Sequence, residues 1–135
     1  MRLPEKTVQS QVVALLRSVG GVAYVLGTRR PKGDYPGTRM TAGLPDVFVF
    51  LPPSPRPGPD GRHRAGCGLW IEVKAEGGRL SQEQQDFASL CADSAVPYVT
   101  GGVDAVIAWL IAGGWLKDEN VPHYRRPLAH LGQTR

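Results

Sequence analysis

Two short runs near the middle of the chain restrict its fold more than any other feature: GLPDVFVF at 43–50 and LWIEVK at 69–74. Every position from Val47 to Leu51 is apolar, so both faces of that strand need cover, which suits a central strand of a sheet. LWIEVK reads as a second strand of the same kind. Yet Asp46 opens the first run, and Glu72 and Lys74 sit inside the second. An unpaired ion in such a place costs several kcal/mol, so these groups must be paired or put to use.

The remaining elements arrange themselves around this pair. Val8, Val12, Leu15, Leu16 and Val19 recur at helical spacing, predicting an amphipathic helix over about 4–19 that starts at Pro4 and stops at Gly20–Gly21. VAYVL at 22–26 is a strand, and a loop rich in Gly, Pro and positive charge follows at 27–43. DVFVFL at 46–51 is the second strand. The stretch 52–68 holds too many prolines and glycines to be anything but a long exposed connection, and LWIEVK is the third strand. A helix at about 81–94, a strand at 97–101 and an apolar helix at 103–112 complete the series. Three consecutive strands, a crossover helix and a fourth strand predict a mixed four-stranded α/β sheet flanked by helices. Residues 1–116 form the expected domain, and 117–135 a polar tail in which His123 and His130 have no zinc spacing.

Strand periodicity decides what the charged residues can do. Leu69, Ile71 and Val73 point one way; Trp70, Glu72 and Lys74 point the other. If the two central strands pair, Asp46 joins Glu72 and Lys74 on one face. Two carboxylates beside a lysine make an oxygen site for a hard cation, magnesium or manganese, with room left for phosphate oxygens. Gly43, lacking a side chain, would let a nucleic-acid backbone come near. Glu–x–Lys is also common as an exposed salt bridge, and Pro–Asp as a turn entering a strand. Both together on adjacent apolar strands are harder to explain that way.

GLPD, then IEVK, then RLSQEQ resemble the PD-(D/E)xK nuclease superfamily, with its restriction-endonuclease-like core. More narrowly they resemble its VRR-NUC family, the virus-type replication and repair nucleases, over roughly residues 5 to 112. The family core runs helix, three strands, helix, strand. The resemblance implies that Asp46 and Glu72 hold the metal, with the backbone carbonyl of Val73 as a further ligand. It places Lys74 at the attacking water, supported by Gln84. Glu5, with Gln9 one turn later, matches the acidic residue that approaches from the first helix. Gln84 could equally close a capping box with Ser81, and Glu5 could simply favour the helix dipole. The proline-rich 52–68 loop is longer than the connection usual in the family.

Charge and composition fix the class of partner. A net charge of +4 and a pI near 9.4 point toward polyanions. Arg29, Arg30, Lys32 and Arg39 flank the approach to Asp46, and Arg56, Arg62, His63 and Arg64 extend from the next loop, each able to neutralise a phosphate. Tyr35 could stack on an unpaired base. Trp109 and Trp115 fit a core or an interface. No GxxxxGK[ST] is present, so no nucleotide cofactor is expected. The longest apolar run, 103–116, falls short of the roughly 20 residues a membrane span needs. Cys67 and Cys91 form neither a disulfide framework nor a CxxC, which fits a reducing cytoplasm; the expected localisation is the cytoplasm of a bacterial or phage-infected cell.

The expected activity is magnesium-dependent cleavage of DNA, branched or four-way DNA in particular. Alternatives are a restriction-type or RNA-cleaving relative, and a non-catalytic nucleic-acid-binding module. The apolar helix 103–112 with Trp115–Leu116 carries enough hydrophobic surface for a homodimer, or else covers the sheet.

Overall fold

The structure, a computed structural model, describes residues 3–26 and 42–118. Among the described residues seven elements follow in order: α1 (Glu5–Ser18), β1 (Val22–Val25), β2 (Val47–Leu51), β3 (Cys67–Val73), α2 (Gln82–Asp93), β4 (Tyr98–Gly101) and α3 (Val103–Gly113). β1, β2 and β3 form an antiparallel meander, and β4 adds beside β3 in parallel after the α2 crossover. The sheet is therefore mixed, four-stranded and open, the architecture expected of a PD-(D/E)xK core.

Its two faces differ in kind. Val47, Val49 and Leu51 alternate inward on β2, as do Leu69, Ile71 and Val73 on β3, and all six are buried. Against them pack Val12, Leu15 and Leu16 of α1 with Val106, Ile107 and Leu110 of α3. The opposite face is aromatic. Phe48, Trp70 and Phe87 meet edge to face, with centroids 4.7 Å apart for the first pair and 5.4 Å for the second. α2 covers this face through Phe87, which also packs on Tyr98.

The long connection after β2 is mostly exposed, as its composition predicts, but it is ordered by its own hydrogen bonds. Ser54 donates its amide to the Arg64 carbonyl at 2.9 Å and accepts the Arg64 amide on its hydroxyl at 2.8 Å. Gly58 approaches the Ala112 carbonyl so closely that a Cβ there would collide with it, which seats the loop on the end of α3.

The apolar surface around α3 is used inside the chain. Trp115 and Leu116 are 4% and 2% exposed, and the Trp115 indole donates to the Pro52 carbonyl at 2.7 Å. That surface covers the sheet and cannot serve as the subunit interface envisaged for it. Among the described residues the large apolar side chains left exposed are elsewhere: Val22, Tyr24, Val25, Phe50, Leu90 and Val96.

Burial separates two leucines sharply. Leu110→Ala, at a fully buried position, should lower unfolding free energy by about 2–5 kcal/mol. Leu90→Ala, at an exposed one, should change it by about 0.5 kcal/mol or less. Urea denaturation of both variants checks the contrast, and equal losses would contradict this packing.

Candidate active site

The antiparallel register pairs Val47 with Ile71, so the next residue outward on each strand brings Asp46 beside Glu72. Asp46 is fixed at both ends. Its carbonyl accepts the Leu26 amide at 2.8 Å, and its Oδ2 accepts the Val73 amide at 3.1 Å. The carboxylate is thus tied to the strand that carries its partner.

Glu72 is the anomaly of the sheet. It lies on the aromatic face of β3 and is only 2% exposed, and its Oε1 has no hydrogen-bond partner. Burial pushes its pKa up to about 8, the neighbouring Asp46 adds to the shift, Lys74 opposes it, and Glu5 contributes slightly. Three of the other residues picked from the sequence, Asp46, Lys74 and Glu5, therefore act electrostatically on Glu72. Among the described residues, however, no three His, Cys, Asp or Glu side chains gather closely enough to hold a metal ion. Asp46 and Glu72 form the carboxylate pair, and Glu5, exposed at the start of α1, does not complete a triad. A cation here must take its other ligands from backbone carbonyls, such as that of Val73, from water or from phosphate.

Lys74 follows β3 and donates its amide to the Gly101 carbonyl at 3.0 Å. Its side chain lines an open cleft of about 600 Å³ at the end of the sheet, whose walls include Val8, Gln11, Leu80, Thr100 and Asp104. Gln11 escapes a sequence reading because it occupies the buried stripe of α1, where an apolar residue is expected; it is 6% exposed. Tyr98 was missed too. Its hydroxyl is the second buried side-chain atom without a partner among the described residues, and burial, followed by the charge of Glu72, raises its pKa. Strand parity was the available signal: Tyr98 pairs with Trp70 and Thr100 with Glu72, on one face.

Gln84 closes a capping box. Its Oε1 accepts the Ser81 amide at 2.8 Å while its own amide donates to the Ser81 hydroxyl at 3.2 Å. Gly43 also differs from expectation. It adopts φ +86°, and a Cβ there would run into the backbone of Glu83. The missing side chain admits the first turn of α2, not an incoming backbone, and so docks GLPD against that helix.

The basic residues divide. Arg29, Arg30, Lys32 and Arg39, with Tyr35, lie outside the described residues. Arg62 and Arg64 belong to the loop rooted at the far end of β2, about 17 Å along the strand from Asp46. Arg64 is engaged there with Asp60 at 2.8 Å, a pairing that lowers the Asp60 pKa. Arg56 donates to the Gly114 carbonyl at 3.3 Å. The structure does not bring these loop arginines to the carboxylates.

A model of the VRR-NUC domain matches residues 6–105 of the chain. No curated protein and no solved structure shows a significant match.

The raised Glu72 pKa has a definite consequence for stability. Because the folded state keeps a proton that the unfolded chain releases, the contribution is fully present below about 4.5 and is lost as pH rises through about 8. The metal-free protein should therefore melt at progressively lower temperature across that window, and Glu72→Gln should flatten the decline. Calorimetric melting from acid to mildly alkaline pH tests this, and identical profiles for the two proteins would contradict it.

Proposed function

The chain belongs to the VRR-NUC family, a nuclease-type domain acting on nucleic acid, and from that premise we propose that it is a magnesium-dependent DNA endonuclease, with manganese able to substitute. The observation that carries the proposal is the Glu72 carboxylate, buried beside a second carboxylate with one oxygen unpartnered. A like-charged pair of this kind is costly in a fold and fits a divalent cation, which removes the repulsion between the two carboxylates. No helix among the described residues is long and apolar enough to cross a membrane.

In this proposal Asp46 and Glu72 hold the ion, joined by the Val73 carbonyl. When bound, the cation supplies charge stabilisation to the phosphoryl oxygens. The chain's own groups do the rest. The Val73 amide holds Asp46 in place. Lys74, in the open cleft, orients the attacking water and offsets negative charge growing on the phosphate. The water oxygen attacks phosphorus in line, and the phosphodiester opens to a phosphate and a hydroxyl. Glu5 adds negative charge near enough to act on Glu72. Gln84 gives its carbonyl oxygen to the cap, leaving its amide donor as the part that can address the water.

The preferred substrate in this proposal is branched, flapped or four-way DNA, its phosphates neutralised by Arg29, Arg30, Lys32 and Arg39, with Arg62 and Arg64 contacting phosphates farther along the surface from the carboxylates. Symmetric nicking of a junction calls for two sites, and a homodimer would use the exposed apolar residues of β1 and β2, Val22, Tyr24 and Phe50, in place of α3.

Cleavage of a panel of linear, flapped and four-way DNA tests the proposal. Magnesium or manganese should support cutting, and calcium should support binding alone, because calcium takes a larger and looser oxygen shell. Asp46→Ala and Glu72→Ala should each abolish cleavage while DNA is still bound. Cutting at the wild-type rate by either variant would remove the site from consideration.

Gln84→Glu separates capping from catalysis. Glutamate serves a capping box as well as glutamine, so the melting temperature should hold. If the amide also addresses the attacking water, exchanging it for a negatively charged carboxylate should slow turnover at saturating magnesium. Undiminished turnover would confine Gln84 to the cap.

A further inference from the structure

Two buried side-chain atoms lack a hydrogen-bond partner among the described residues, and they are chemically complementary: Glu72 Oε1 accepts, and the Tyr98 hydroxyl can donate. Both belong to one face of adjacent parallel strands. Thr100 lies opposite Glu72 and Tyr98 opposite Trp70, so Tyr98 and Glu72 are one diagonal step apart, within reach of long side chains. Phe87 of α2 packs on the Tyr98 ring. Thr100 stands between the two: its hydroxyl donates to the Glu72 carbonyl at 3.0 Å and lies near enough to the phenol to lower its pKa, but it makes no hydrogen bond of proper geometry with it. A buried phenol left without a partner is costly and rare unless it has a use.

We propose that Tyr98 is the positioning residue for Glu72: its hydroxyl donates to the Glu72 carboxylate and holds it turned toward the divalent cation. The terminal torsion of a glutamate is broad, so the carboxyl group can rotate to meet the hydroxyl without leaving its rotamer. With one oxygen held by Tyr98, the other faces Asp46 and the ion. Outer partners of this kind orient a metal-holding carboxylate and raise the affinity of the site. The inference rests on the proposed metal site, but it concerns a residue of β4 that neither sequence motif includes.

Tyr98→Phe removes the hydroxyl and keeps the ring that packs on Phe87. Magnesium titrated calorimetrically into the metal-free protein should bind about 10- to 100-fold more weakly in the variant. The magnesium concentration giving half-maximal cleavage should rise by a similar factor. The metal-free variant should melt close to the wild-type temperature, because the ring that packs on Phe87 is kept. Unchanged magnesium affinity would overturn the proposal and leave Tyr98 as packing. A variant that melts much lower, or loses cooperative melting, would overturn it too, because the hydroxyl would then be a structural group. If the wild type binds magnesium but cuts no nucleic acid, the nuclease assignment fails while the role of Tyr98 is still decided by the titration.

Discussion

The antiparallel register between β2 and β3 is the constraint on which the rest of the molecule depends. In the observed pairing, Val47 meets Ile71 and Val49 meets Leu69, which places all four beneath α1 and α3. The same pairing turns Asp46 and Glu72 to the other side together. Slippage by one residue in either strand would exchange faces, putting a carboxylate into the apolar layer and valines against the aromatic one. The core and the site are therefore not separate achievements of this sequence, since burying the valines is what brings the carboxylates together.

That coupling has an energetic cost concentrated at one residue. Glu72 is buried beside a like charge, and the shift of its pKa to about 8 expresses how poorly the metal-free fold tolerates its ionised form. Elsewhere the chain satisfies its polar groups carefully. Ser81 and Gln84 exchange hydrogen bonds at the start of α2, the Trp115 indole reaches Pro52, and the proline-rich loop pairs its own backbone. Among the described residues only Glu72 Oε1 and the Tyr98 hydroxyl are buried side-chain atoms without a partner, and poor solvation concentrated at one point is the usual mark of a functional site. The orphaned hydroxyl of Tyr98 lies beside that same point, which ties β4 to the function of β2 and β3.

Much of this was legible in the sequence because it follows from periodicity. The continuous apolar run Val47–Leu51 marked a central strand, and the two-residue repeat in Trp70–Glu72–Lys74 put those side chains on one face. Helix boundaries followed from Pro4, Gly20 and Ser81. What was not legible depends on which surfaces meet. Hydrophobicity alone could not say whether Trp115 and Leu116 faced a partner or the sheet, and here they cover the sheet. Gly43 looked like room for a ligand because sequence shows a missing side chain but not the Glu83 backbone that fills the space. Proximity along the chain made Arg62 and Arg64 look like neighbours of Asp46, although the length of β2 carries them to the opposite end of the sheet. Gln84 satisfied two motifs at once, and only geometry shows its carbonyl in the cap.

The central claim is that Asp46 and Glu72 together hold one divalent cation. Crystals of the full chain soaked in manganese, with anomalous scattering recorded at the manganese edge, address it directly. The account predicts a peak contacted by carboxylate oxygens of both Asp46 and Glu72, lost in Glu72→Gln crystals treated identically. Manganese bound only elsewhere, or a site between the strands left empty under a saturating soak, would contradict it.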